Sequence, residues 1–479
     1  MGCEQSAELP DVPENFPYFT LTLHWVDVFR VVHGRSRNIA LIKKAIQVYW
    51  KAGMSGIYPS SGVMDLELKG RPWVKAASKE DKFESRKLTC GMLELLLTDG
   101  WAVKVPTEMA RLIDLTTWFM EYDPAKRGNG KPATICCVAM SSNDDLHVVK
   151  ANEQVLNAVK GAISKKYSKG LQAEKDMQHG NWHLRVKGTP WISEDEDGMD
   201  ARRFLLQLLR EMQSIGYFYY TKANTHSLAD SIYFLHFPNG DGFLSEADYC
   251  MLSLNSVDRL RLIDCQDETV KNAIRQTIES VRGKDAIQQE ANNLGTYEFK
   301  LKGTPWAAEA QDSVIARLTV TKILEELHAV GWRLMDTLDM SRRLNSKGVL
   351  LLRSVKPSRV AHFCLAPMEV DRLLLIGAPK DVTDAVRETL TQHYAKGIQR
   401  EVSDQYGAHE FKLKGMPWFG RQGNDEIYIQ SFFCFLLDSL GKKGWEALAS
   451  CDVSSKHVRG ESTPDYKVDV NSWFFAQSA

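Results

Sequence analysis

The sequence predicts an α+β repeat protein of four tandem modules, each an antiparallel sheet with two helices. Three observations predict it: a turn motif that occurs four times, a helix signature after each copy, and a hairpin signature after the helix. The motif glycines are 118, 115 and 112 residues apart. A near-constant period is the sequence mark of a repeat architecture.

The turn motif is Lys-Gly-x-Pro-Trp, and each copy ends an alternating apolar and polar run that is typical of a strand. Its residues are Lys69, Gly70, Pro72 and Trp73; Lys187, Gly188, Pro190 and Trp191; Lys302, Gly303, Pro305 and Trp306; and Lys414, Gly415, Pro417 and Trp418. We interpret the motif as a structural turn with a buried indole. The alternative is an aromatic, cationic ligand site in each module.

The helix after each motif ends in Gly followed by an aromatic residue, as at Gly331-Trp332. Glycine is favoured just beyond a helix end because the chain there adopts positive φ. Apolar residues upstream recur with a 3,1,3 spacing, which predicts one buried helical face. Val320, Ile323, Leu324 and Leu327 illustrate it.

The hairpin signature is clearest at Val257–Ile263 and Val370–Ile376, and a second helix follows it. The module is therefore predicted as β-α-β-β-β-β-α. The same hairpin and helix occur near the N-terminus, at Val26–Val32 and Ile39–Trp50. We therefore expect this segment to complete the fourth module, with the first and last strands pairing to close the molecule.

The predicted boundaries follow from this register. They are residues 1–17, a flexible acylated N-terminus; 18–64, the half-module that completes module 4; 65–180, module 1; 181–296, module 2; 297–408, module 3; and 409–479, the C-terminal part of module 4.

Composition excludes several classes of protein. The chain has 60 Lys and Arg against 61 Asp and Glu, so no nucleic-acid partner is expected. No apolar run approaches the ~18–20 residues of a membrane-spanning helix. Nine cysteines without a CxxC pair predict small core residues in a reducing compartment. The scattered histidines and the lack of catalytic signatures predict no metal site, no cofactor and no enzyme activity.

The N-terminus carries the clearest functional signal. Met1-Gly2-Cys3-Glu4-Gln5-Ser6 matches the N-myristoylation pattern. Gly2 is the predicted myristoylation site and Cys3 the palmitoylation site, because one acyl chain alone binds membranes only marginally. These six residues resemble the start of dually acylated peripheral proteins such as Src-family kinases, some G-protein α subunits and raftlins. The resemblance implies anchoring and nothing about activity.

A weaker candidate site lies between the N-terminal hairpin and its helix. Arg35 and Arg37 flank a predicted helix start, where backbone N–H groups favour anions. An anionic lipid headgroup is one interpretation, and a solvated loop is the other.

The leading functional prediction is a non-enzymatic peripheral membrane protein that acts as a scaffold or adaptor. Its expected partners are the membrane, through the acyl chains, and an unknown protein. The expected location is the cytoplasmic side of the plasma membrane or endomembranes. Two alternatives stay open: a lipid or small hydrophobic ligand binding or transfer protein with a pocket between modules, and an enzyme with a site confined to one module.

Overall fold

A computed structural model describes residues 9–10, 12–109, 115–127, 132–193, 195–226, 229–237, 246–340, 347–405, 407–419, 424–454, 457–458, 466–467 and 469–478. The structure confirms the α+β class and the four repeated modules. Each module has the order β-β-α-β-β-α-β-β and its own six-stranded antiparallel sheet.

The first two modules share this element order. Module 1 contains β1 (Tyr18–His24), β2 (Val28–Val32), α1 (Ser36–Tyr49), β3 (Met54–Ser60), β4 (Val63–Leu68), α2 (Lys79–Thr98), β5 (Trp101–Thr107) and β6 (Thr117–Tyr122). Module 2 contains β7 (Thr134–Ser141), β8 (Asp145–Val149), α3 (Glu153–Lys166), β9 (Leu171–Asp176), β10 (Trp182–Val186), α4 (Glu196–Ser214), β11 (Phe218–Ala223) and β12 (Ser231–His236).

The last two modules repeat it. Module 3 contains β13 (Tyr249–Asn255), β14 (Arg259–Ile263), α5 (Glu268–Arg282), β15 (Ile287–Asn293), β16 (Thr296–Leu301), α6 (Ala310–Ala329), β17 (Trp332–Leu338) and β18 (Val349–Ser354). Module 4 contains β19 (His362–Met368), β20 (Arg372–Ile376), α7 (Lys380–His393), β21 (Ile398–Gln405), β22 (Ala408–Leu413), α8 (Asp425–Lys442), β23 (Trp445–Cys451), a short ribbon of β24 (His457–Val458) and β25 (Tyr466–Lys467), and β26 (Ser472–Gln477).

Each sheet has the same strand order, which in module 1 is β3-β4-β2-β1-β6-β5. One edge is the strand after the first helix, and we call β3, β9, β15 and β21 the outer edge strands. The opposite edges, β5, β11, β17 and β23, contact one another in succession and are the inner edge strands. Between β11 and β17, for example, the Tyr219 hydroxyl donates to Asp336 Oδ2 at 2.6 Å.

The predicted phase of the repeat is wrong. β1 pairs with β2 and β6, and β2 pairs with β4, so residues 18–122 form module 1 by themselves. Module 4 is complete within residues 362–477. The predicted boundaries at 65, 181, 297 and 409 therefore cut through modules. A periodic sequence gives the length of the repeat but not the residue at which each module begins. The modules begin where the structure places them because strands that are near in sequence tend to pair.

The predicted module also lacked one strand. Each module has six strands, and the missing one is the outer edge strand. In β9 every residue except the first is exposed, and its sequence is Leu-Gln-Ala-Glu-Lys-Asp. A strand that buries neither face shows no alternation of apolar and polar residues, so the pattern that identifies strands is missing.

The ring closes, but not by the predicted pairing of the first and last strands. β1 and β26 belong to different sheets. Instead, the second helix of each module packs on the first strand of the next: α2 on β7, α4 on β13, α6 on β19 and α8 on β1. Each helical layer therefore lies between its own sheet and the next one. The last contact joins module 4 to module 1.

A buried polar side chain marks each of these junctions. It lies at the same position in the second helix of every module, and the four residues are Arg86, Arg202, Arg317 and Gln430. Arg317 donates from Nε to Ser472 at 2.8 Å, in the sheet of module 4. At the closing junction Gln430 Oε1 accepts from the Thr20 hydroxyl of β1 at 2.9 Å. A hydrogen-bonded polar group in an apolar interface fixes how the two surfaces meet.

Candidate functional site

The four turn motifs have the same environment in every module. Their Lys and Gly residues are exposed, whereas Pro and Trp are buried. The glycines have φ of 75° to 93°, which a residue with a side chain rarely adopts. The Trp306 indole N–H donates to the Arg259 carbonyl at 2.8 Å, and Trp191 and Trp418 donate to the matching carbonyls. The motif places one buried indole in each module and leaves its lysine on the surface.

Module 1 departs from this pattern in one detail. The Trp73 indole is as buried as the other three, at 2% exposure. Its N–H, however, has no hydrogen-bond partner among the described residues. The first turn therefore lacks a contact that the other three make.

The N-terminal segment enters the fold at the junction of modules 4 and 1. The predicted acylation sites Gly2 and Cys3 lie outside the described residues. Leu9 is buried and lies against Gly62, in the turn between β3 and β4. Phe16 packs on Phe435 of α8, with ring centroids 4.7 Å apart. Leu9, the first described residue, therefore lies beside the β3–β4 turn.

The two predicted arginines are already engaged by the chain. Arg35 donates from Nη2 to the Phe16 carbonyl at 3.0 Å, and its guanidinium lies 5.2 Å from the Trp101 ring centroid. Arg37 pairs with the buried Asp99, although its own side chain is 75% exposed. Arg35 thus holds the N-terminal segment against module 1. A role for either arginine in binding an anion stays a prediction.

The outer edges show the largest difference between modules. In modules 2, 3 and 4 a base on the first helix pairs with a Glu on the outer edge strand. The pairs are Lys160–Glu174 at 2.7 Å, Arg275–Glu290 at 2.6 Å and Arg387–Glu401 at 2.6 Å. In module 1 the corresponding residues are Lys43 and Ile57, which has the same place in the strand register. No carboxylate of the described residues pairs with Lys43.

A cleft lies where this ion pair is missing. It has a volume of ≈ 410 Å³ and runs between α1 and the β3–β4 hairpin. Its lining includes Ile39, Ala40, Lys43, Val63 and Met64. We call it the module 1 cleft. The position of Ala40 is polar in the other modules, where it is occupied by Asn157, Asn272 and Asp384.

Exposed apolar side chains also concentrate in module 1. Of the six large apolar residues that are strongly exposed in the described part of the chain, four belong to this module: Trp25, Val48, Ile57 and Tyr58. Trp25 is 56% exposed in the β1–β2 turn, where modules 2 and 3 have serine and module 4 has glutamate. The strand β3 has no charged residue, whereas every other outer edge strand has at least one.

A second cleft lies between modules 4 and 1, with a volume of ≈ 490 Å³. The alternative prediction of an apolar pocket between modules would place it at such a junction. Its lining is charged, however, and the charges compensate one another. Lys104 lies 3.6 Å from Glu121 and 3.7 Å from Glu446, and Lys442 pairs with Asp438 at 2.6 Å. This cleft does not offer an apolar surface to a lipid.

The fold brings together one group that sequence spacing did not reveal. Asp145, His147 and His183 present ligand atoms within 4.8 Å of one another, on the neighbouring strands β8 and β10. Arg86, which can only donate, donates to His147 Nδ1 at 2.8 Å. The proton of the neutral His147 ring is then on Nε2, so neither nitrogen of His147 has a free lone pair to bind a cation. Burial and the Arg86 charge also lower the pKa of His147. The cluster suits an internal hydrogen-bond network at the junction of modules 1 and 2 better than a metal site.

One domain-family model matches the chain four times, over residues 17–121, 134–237, 248–353 and 361–476. These ranges coincide with the four modules and together cover most of the chain. The chain therefore belongs to this domain family and is a repeat protein with four copies of the domain. No curated protein and no solved structure gives a significant match. None of the described helices combines the length and apolar character needed to cross a bilayer.

Proposed function

We propose that the chain is a peripheral membrane protein, acylated at Gly2 and Cys3, that serves as a scaffold or adaptor on the cytoplasmic side of a membrane. The ring of modules would be the rigid part, and the N-terminal segment the anchor. A myristoyl chain alone gives marginal binding, so the palmitoyl group on Cys3 supplies the second signal.

The observation that carries the proposal is the location of the apolar surface. Leu9, seven residues after the predicted acylation site Gly2, lies against Gly62 at the β3–β4 turn. The same hairpin exposes Ile57 and Tyr58, at 41% and 58%, where the other modules have mainly charged edges. Aromatic and aliphatic side chains beside an acyl anchor add to membrane affinity, and tyrosine favours the membrane–water interface.

The net charge of the chain is consistent with anchoring by the N-terminal segment and not by the surface of the modules. With a formal net charge of −1, the molecule lacks an overall electrostatic attraction to acidic lipids. Attachment would therefore depend on the acyl chains and change little with salt. A polybasic anchor would instead weaken as ionic strength rises.

Fractionation of cells that express the full chain tests the anchor. We expect Gly2→Ala to move the protein from the membrane pellet to the supernatant, because it removes the amine that accepts myristate. Ala7→Gly is the matched control, since it lies in the same segment but outside the acylation pattern. Equal membrane association of Gly2→Ala and wild type would refute the proposal.

Proximity labelling tests the adaptor role. A labelling enzyme fused to the C-terminus should mark a set of proteins that depends on Gly2, because anchoring brings the ring to its partners. The same labelled set with Gly2→Ala as with wild type would contradict an adaptor that works at the membrane.

A further inference from the structure

We infer that the module 1 cleft is an acyl-binding site whose occupant is the protein's own N-terminal acyl chain when no membrane is present. This inference rests on the proposed acylation of Gly2. It adds a second location for the acyl chain, between α1 and the β3–β4 hairpin.

The first support is the character of the cleft. Its walls include Ile39, Ala40, Val63 and Met64, and its volume of ≈ 410 Å³ lies within the range of about 300–1,000 Å³ that is usual for small-molecule sites. Removing an acyl chain from water into such a cleft is favourable because apolar surface is buried.

The second support is that the other three modules bridge the same place with an ion pair between the first helix and the outer edge strand. In module 4, Arg387 of α7 bonds to Asp384 of the same helix at 2.5 Å and to Glu401 of β21 at 2.6 Å. Module 1 has Lys43, Ala40 and Ile57 at these three positions. Two of the three polar groups that join helix and edge strand are thus replaced by apolar ones in the module that follows the predicted acylation site.

The third support is the attachment point of the N-terminal segment. Leu9 lies against Gly62, and Gly62 also lines the cleft. From Leu9 back to Gly2 the chain can span up to about 25 Å, so the acyl group is within reach. The segment carries Glu4 and Glu8 but no basic residue, and Lys43 at the cleft lacks a carboxylate partner among the described residues. These charges are complementary.

The docked chain would compete with the membrane. A protein whose acyl group is buried in the cleft has a lower apparent affinity for vesicles, in proportion to the fraction docked. Closing the cleft should therefore increase membrane binding, whereas removing the acyl group should abolish it. These opposite effects separate docking from anchoring.

The test compares acylated and unacylated full chains by hydrogen–deuterium exchange without membranes. The acylated chain is made by co-expression with an N-myristoyltransferase and verified by its mass. We expect exchange over residues 36–68 to slow about fivefold on acylation. The double substitution Ala40→Asp and Ile57→Glu copies the polar triad of module 4 and should abolish this difference. Ala40→Asp alone changes the cleft lining but leaves the exposed Ile57 and Tyr58 in place, so this variant should raise vesicle binding about threefold.

Asn157→Asp is the matched control, because it makes a similar change on the exposed face of α3 in module 2. It should leave both readouts at their wild-type values. Exchange over residues 36–68 that is the same with and without the acyl chain would overturn the inference. Protection that appears only on adding free myristic acid would also overturn it, because the occupant would then come from outside the chain.

This outcome is distinct from failure of the proposed function. Mass spectrometry of the protein from cells shows whether Gly2 is acylated there. The exchange experiment uses chain that is already acylated, so a negative result concerns the cleft alone.

Discussion

The interior of the four modules and the outer edge of module 1 differ in how strictly they repeat. Each module buries a motif tryptophan, and each second helix, which packs on the next sheet, carries a buried polar residue at the same position. The ion pair between the first helix and the outer edge strand occurs in three modules and is missing in the first. The interior contacts that all four modules share hold the ring together. The outer edge of module 1, which departs from the repeat, lies beside the N-terminal segment, and we place the function there.

The largest expected effect comes from the repeated interior. Trp306→Ala should lower the free energy of unfolding by about 3–5 kcal/mol, because it leaves a cavity at a side chain that is 1% exposed. Urea unfolding followed by circular dichroism measures it. Vesicle binding of the remaining folded protein should not change. A loss below 1 kcal/mol would show that the motif turn is not a structural element.

A pH dependence of the stability is expected at the junction of modules 4 and 1. Burial lowers the pKa of His33 to about 4, and its Nε2 lies 2.7 Å from the Ser431 hydroxyl of α8. The folded state keeps His33 neutral while the unfolded chain protonates below its ordinary pKa of 6.5. This contribution to stability is present above pH 6.5 and is lost as pH falls towards 4. It amounts to at most about 3 kcal/mol.

His33→Gln tests this contribution, since glutamine can keep a bond to Ser431 and does not titrate. Its loss of stability between pH 7 and pH 4.5 should be smaller than that of the wild type. Parallel pH profiles for the two proteins would exclude His33 as the source.

The motif tryptophans offer a matched pair within the repeat. Trp306→Phe should cost about 1 kcal/mol more than Trp73→Phe, because only Trp306 loses a hydrogen bond to a buried carbonyl. The comparison holds the change of side chain constant. Equal losses in the two urea titrations would mean that the indole hydrogen bond contributes nothing.

The smallest expected effect on stability is at the outer edge. Ile57→Glu should pair with Lys43 and raise the free energy of unfolding by about 0.3–0.5 kcal/mol, the usual size for an exposed ion pair. Glu174→Ile should lower it by a similar amount in module 2. If Ile57→Glu destabilises the fold by more than 1 kcal/mol, the edge of module 1 serves packing and not binding.

The sequence was sufficient to predict the repeat, the class and the buried helical face, because each of these repeats at a fixed spacing. It was not sufficient to predict the module boundaries, since a periodic sequence can be divided at any point of the repeat into equivalent units. The strand Leu171–Asp176 was missed because a strand with both faces in water has no apolar alternation.

The specialised edge was harder to predict for a different reason. Ile57 is informative only because the other modules have glutamate at the equivalent position, and the strand register is needed to show this equivalence. The glutamates are Glu174, Glu290 and Glu401. The group formed by Asp145, His147 and His183 likewise joins residues from two neighbouring strands. Spacing along the chain identifies neither.

Depth labelling on vesicles tests the central claim most directly. A fluorophore is placed at Tyr58→Cys or at Lys175→Cys, which are matching positions on the outer edges of modules 1 and 2. The chain is myristoylated and carries Cys3→Ser, and because one acyl chain binds only marginally, quenching is measured on the vesicle-bound fraction after separation from free protein. The eight described cysteines are buried, so labelling should be specific. We predict that brominated lipids quench the label at position 58 strongly and the label at position 175 weakly. Equal quenching at the two positions would contradict a membrane-facing edge in module 1.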